Sequence, residues 1–65
     1  MLLLTQREAA TLLKLSQRTI ERLRVSGLGP RFIRVSGRSI RYRLTDIETY
    51  VSSRVVGSTS EEVRP

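Results

Sequence analysis

The thirty residues from Lys14 to Arg43, KLSQRTIERLRVSGLGPRFIRVSGRSIRYR, decide the fold. In the first half, Ile20 and Leu23 stand at helical spacing and mark the buried side of a short helix. Ser16 is placed to cap that helix through its hydroxyl, and Leu15 before it is placed to staple against Ile20. Gly27 is the expected left-handed terminator, and Gly29-Pro30 bars continuation. From Arg31 the apolar period changes to two. A two-residue turn at Gly37-Arg38 would pair Val35 with Ile40 and Ile33 with Tyr42. Those four side chains would share one face, with Phe32, Arg34, Arg41 and Arg43 on the other. Glycine at the first turn position suits type II′, and a slip of one residue would scramble the faces.

Working outward, Thr5 and Glu8 read as a capping box, followed by Ala9, Leu12 and Leu13 as the apolar stripe of a first helix. On the other side, Thr45 and Glu48 read as a second box. It would open a helix that buries Ile47, Tyr50, Val51 and Val55 and ends at Gly57. The residues beyond are polar, carry two acids against one base and show no periodicity. The expected class is α+β, mostly helical: a winged helix-turn-helix domain over residues 1–56, with two helices, a two-stranded hairpin wing and a third helix. A flexible tail over residues 57–65 is expected to follow.

Composition narrows the function. A chain of 65 residues is expected to be one domain with a small core, burying about 60% of its unfolded surface. No apolar run approaches the roughly 18 residues that span a bilayer, and the opening Met1-Leu2-Leu3-Leu4 is too short for a signal peptide. Without cysteine or histidine there is no disulfide, no thiol chemistry and no zinc finger. A reducing cytoplasm fits, and neither metal nor cofactor is expected. Serines are plentiful, but no histidine or cysteine exists to activate one and the only lysine falls in a turn, which argues against an enzyme.

Charge then points to a partner. Lys14–Arg43 holds nine of the chain's twelve basic side chains and one acid, Glu21, a local balance of +8 against +6 for the whole chain. Such clustering is the electrostatic footprint of a phosphate-binding face. A basic amphipathic peptide for membrane surfaces would place its cations along one long helix, whereas here they divide between a short helix and a hairpin. An adaptor for an acidic protein is the other alternative; a gel shift with duplex DNA separates it.

The order and spacing of EAATLL (8–13), SQRTIERL (16–23), GLGP (27–30), RSIRYR (38–43) and DIETYV (46–51) resemble the excisionase and AlpA-like branch of small winged helix-turn-helix proteins, whose DNA-binding domain is MerR-like. The resemblance covers about residues 3–55. It implies a compact binder of double-stranded DNA, bacterial, cytoplasmic and nucleoid-associated. Many such proteins are recombination directionality factors that bend attachment-site DNA and help a tyrosine integrase excise a mobile element; others regulate transcription. In the turn between the first two helices the family usually carries glycine, where this chain has Lys14. A left-handed backbone there costs a non-glycine residue on the order of 1 kcal/mol. Contact between Lys14 and a phosphate would offset part of it.

With Ile20 and Leu23 inward, Arg18, Glu21, Arg22 and Val25 turn outward, and Gln17, Thr19 and Arg24 lie on the flanks. Arginine pairs with guanine and glutamine with adenine through two hydrogen bonds, so Gln17, Arg18 and Arg22 are the base-reading candidates, with Thr19 on phosphate. Glu21 either accepts from a cytosine or, the preferred reading, pairs with Arg18 or Arg24 on its own helix. Arg34, Arg41 and Arg43 line the wing, and Arg38 at its tip is suited to a narrow minor groove. The plainer alternative is a solvated basic surface. Phe32 either stacks on sugar or, as preferred, covers arginine stems. Tyr42 and Tyr50 are expected in the core with their hydroxyls at its edge. Asp46 and Glu48 are expected to serve the cap of the third helix. One recognition helix gives a short footprint, so neighbouring copies are expected to associate on DNA.

Overall fold

The computed structural model describes residues 2–57. After the short strand β1 (Leu3–Leu4), Thr5 opens α1 (Gln6–Leu13) through the expected capping box. Its hydroxyl accepts from the Glu8 backbone N–H at 3.1 Å, and the Glu8 carboxylate accepts from the Thr5 N–H at 2.8 Å. Lys14 ends the helix in the left-handed region, φ 58° and ψ 35°. This is the turn where the resemblance implies glycine. Ser16 caps α2 (Gln17–Ser26) by accepting from the Thr19 N–H at 3.1 Å, and Gly27, φ 79°, terminates it. Two residues on, a methyl group at Gly29 would meet Leu23 Cβ at 2.9 Å, so this close crossing needs glycine.

The hairpin β2 (Ile33–Ser36) and β3 (Ser39–Arg43) turns at Gly37-Arg38 as expected, with Ser36 opposite Ser39. Its register differs. The ladder shifts between Ser36 and Arg34, so Arg34 faces Ile40 and Ile33 faces Arg41, in place of the expected Val35–Ile40 and Ile33–Tyr42 pairs. A bulge at Val35 absorbs the extra residue. Gly37 does not take the positive φ that a type II′ turn requires. The separation of faces therefore survives on β3, where Tyr42 is buried and Ile40 packs against the core, but not on β2, where Val35 is 48% exposed. The sheet also has a third strand that the two-stranded expectation lacked: β1 pairs antiparallel with β3, Leu4 opposite Tyr42, giving the order β1-β3-β2.

The core is Leu4, Ala9, Ala10, Ile20, Tyr42 and Ile47, with Leu13, Ile40 and Leu44 packed against it. The alanines let helix and sheet approach closely, and α1 consequently turns Leu12 to solvent, 54% exposed rather than buried. α3 (Leu44–Ser52) follows β3 without a loop, so Arg43 occupies the N-cap position and the expected Thr45–Glu48 box does not form. The helix also stops at Ser52, short of Gly57. Ser53 donates its hydroxyl to the Tyr50 carbonyl at 2.7 Å, and Val51 and Val55, expected inside, stand 47% and 76% exposed. Arg54 lies 4.7 Å above the centre of the half-buried Tyr50 ring and donates to the Leu28 carbonyl at 3.2 Å, fastening the end of α3 to the loop after α2. The part of the expected tail beyond Gly57 lies outside the described residues.

Candidate nucleic-acid interface

α2 carries the helical half of the basic surface. Gln17, Arg18, Glu21, Arg22 and Val25 are all exposed along it, while Ile20 on the opposite side is fully buried. Thr19 is half-buried, and its hydroxyl accepts from the Ser16 hydroxyl at 2.9 Å, so the cap already engages the group expected to meet a phosphate. Glu21 makes no ion pair among the described residues, so the preferred pairing with Arg18 or Arg24 is not formed.

The wing divides its arginines by what holds them. Arg38 stands exposed at the turn. Arg34, exposed, folds back and donates to the Gly37 carbonyl at 3.2 Å, bracing the turn. Half-buried Arg41 donates to the Ile40 carbonyl at 2.6 Å. Arg43 is drawn into the junction with α3 by two hydrogen bonds to Asp46, at 2.6 and 3.0 Å. This is the only ion pair among the described residues, so eight of the nine cations between Lys14 and Arg43 have no acidic partner there. The Arg43 hydrogen bond, helped by the charges of Arg43 and Arg31, holds the Asp46 carboxyl below its ordinary range, and Asp46 in turn raises Arg43. Lys14, exposed in the turn before α2, completes the set.

Two arginines outside the expected set occupy the seam between helix and wing. Arg24 is half-buried, donates Nε to the Gln6 side chain at 3.3 Å and lies 5.8 Å from the centre of the Phe32 ring. Phe32 in turn meets Tyr42 at 6.3 Å between centroids. Phe32 does cover an arginine, as preferred, but Arg24 of α2 rather than the stems of the wing, and it contacts Tyr42 instead of facing away from it. Arg24 and Arg31 also line an open cleft of about 270 Å³ with Gly27, Gly29, Pro30 and Phe32. The four-residue step from Ile20 to Arg24 pointed toward the core side, but nothing local indicated Gln6, eighteen residues away.

Among the described residues no cluster of acidic or metal-ligating side chains fits a metal ion, and no helix is long and apolar enough to cross a membrane. Searched against curated proteins, the chain finds no match. The profile of the helix-turn-helix domain family, by contrast, matches residues 3–55, from β1 past the end of α3. A capped α1, the tight left-handed turn at Lys14, an α2 with an exposed basic side and a hairpin wing are the working parts of such a domain. The chain belongs to this family, that of the excisionase- and AlpA-like small DNA-binding proteins.

Proposed function

We propose that this DNA-binding domain recognises specific double-stranded sites by placing α2 in the major groove and the wing on the adjacent minor groove. Gln17, Arg18 and Arg22 read bases, Lys14, Thr19, Arg34, Arg41 and Arg43 hold the sugar-phosphate backbone, and Arg38 enters the narrowed groove. The observation that carries this reading is the unneutralised basic surface: one of its nine cations is paired with an acid among the described residues. A fold stabilised by surface ion pairs would distribute acids among these arginines; a phosphate-binding face leaves them for the ligand.

In the cell, the reading is of an excisionase, a recombination directionality factor acting in the bacterial cytoplasm on nucleoid DNA. Copies bound side by side bend attachment-site DNA so that a tyrosine integrase is directed toward excision. No catalysis by the chain itself is part of it. The alternative is a small transcriptional regulator of a mobile element using the same surface. Footprinting on DNA flanking its own gene, followed by a recombination assay with a neighbouring integrase, separates them. Protection at an attachment site with stimulated excision supports the first, and protection confined to a promoter supports the second. If about four to six phosphates are contacted, log K falls against log salt with a slope near −4 to −5. A slope near −1 would remove the phosphate-binding face from the account.

A further inference from the structure

The exposed side of α2 changes character along its length. Arg18 and Arg22 are followed by Val25, 75% exposed, and then by Leu28 just past the helix end, 65% exposed. Val25 stands seven residues beyond Arg18 and three beyond Arg22, two turns and about one turn along the same side. Beside it runs a groove of about 420 Å³ walled by Leu23 and Leu28 and edged by Thr19, Arg22 and Ser26. A β-branched side chain in the open last turn of a helix gains nothing from burial and forms helix less readily than alanine. Its position is explained if a ligand covers it, and the ligand on this side of α2 is the major-groove floor. The group there that rewards an apolar side chain is the 5-methyl of thymine.

Resting on the reading that α2 enters the major groove, we propose that Val25 is a specificity residue that reads a thymine methyl group. The arginines and Gln17 recognise purines by hydrogen bonding; Val25 adds the contact that hydrogen bonds cannot make. The spacing gives its register. Arg18 and Val25 are separated by about 10.5 Å along the helix axis, and stacked bases by about 3.4 Å. The thymine therefore lies about three base pairs from the position read by Arg18 when the helix follows the groove.

The test uses the full chain and duplexes selected from a randomised pool. Each thymine in the selected site is replaced singly by uracil, which removes only the methyl group, and affinities are measured for the wild type and Val25→Ala. The expected result is one position where uracil weakens the wild type about three- to tenfold and leaves Val25→Ala unaffected. Val25→Ala retains its helicity and its affinity for random duplexes. Uracil effects that are absent from a specifically bound site, or equal in both proteins, overturn the inference while leaving major-groove binding intact. Loss of cooperativity in Val25→Ala without any uracil effect also overturns it, placing Val25 against a neighbouring copy. A pool that never narrows, with undiminished binding to random duplexes, overturns base reading by α2 and this inference with it.

Discussion

Arg43 holds Asp46 with both arms of its guanidinium, Nε to Oδ2 at 2.6 Å and Nη2 to Oδ1 at 3.0 Å, at the point where the wing becomes α3. Hydrogen bonding to Arg43 favours the Asp46 carboxylate, and its folded-state pKa is lowered. A lowered carboxyl pKa contributes stability that is present above the unfolded value and lost as pH falls through the folded one. Acidification from about pH 4 downward is therefore expected to weaken this junction, and Asp46→Asn to flatten that part of the profile. Denaturant midpoints across the acid range measure both. Arg43→Gln should flatten the salt slope by about one phosphate contact. An unchanged slope assigns Arg43 to the fold alone.

Lys14 is the one non-glycine residue at positive φ among those described. Relief of its left-handed backbone by Lys14→Gly is worth about 1–2 kcal/mol, against roughly 0.4–1 kcal/mol lost through the freer unfolded chain. The variant should be neutral to more stable, by about 0–1.6 kcal/mol on those figures, read from chemical unfolding. Its DNA affinity should fall uniformly across sequences. Stability gained with no loss of binding would show that the lysine has no phosphate to contact.

Arg18→Ala and Arg22→Ala should each cost roughly 1–3 kcal/mol on the specific site and much less on random duplexes. Equal losses on both would make the residue a backbone contact. Arg38→Ala should weaken binding most where the minor groove is narrow, as in A-tract flanks. Indifference to flank sequence would take the wing tip out of the groove.

The Tyr42 hydroxyl is buried without a hydrogen-bond partner, and burial raises its pKa. An unpaired buried hydroxyl costs about 1–3 kcal/mol, whereas the ring fills the centre of the core. Tyr42→Phe should thus be neutral or stabilising by up to about 1 kcal/mol, and Tyr42→Ala should lose about 3–5 kcal/mol. A marked loss of stability in Tyr42→Phe, by thermal or chemical unfolding, would show that the hydroxyl does have a partner in solution.

What the sequence made legible were features fixed by neighbours in the chain. The Thr5–Glu8 box, the Ser16 cap, the Gly27 terminator and the Gly37-Arg38 turn depend on residues within four positions, and each lies where local chemistry puts it. The departures from local expectation come from distant contacts. Strand β1 exists because β3 offers it an edge, and a bulge at Val35 replaces the simple alternation of the hairpin. Thr45 has no capping role because β3 runs directly into a helix that starts at Leu44, which leaves Thr45 inside the first turn. On the basic surface, the clustering of charge is legible in the sequence, but the engagement of Arg34, Arg41 and Arg43 depends on hairpin geometry.

The last prediction concerns assembly. One recognition helix and one wing cover on the order of 10 base pairs, too few to select a site against a genome of competitors. The described helices have at most ten residues, so none of them provides a long coiled-coil seam for a stable dimer. Selectivity is therefore predicted to come from several copies on adjacent sites, with contacts between neighbours formed mainly on DNA. Copies repeated in one orientation place the arginines of successive wings along one side of the duplex. Neutralising phosphates on that side bends the DNA toward the protein, the deformation an excisionase needs. Sedimentation and a circular-permutation bending assay, comparing one site with an array, are expected to show cooperative filling and a bend that grows with copy number. Independent occupancy of straight DNA would remove the architectural role and leave transcriptional regulation as the function of this surface.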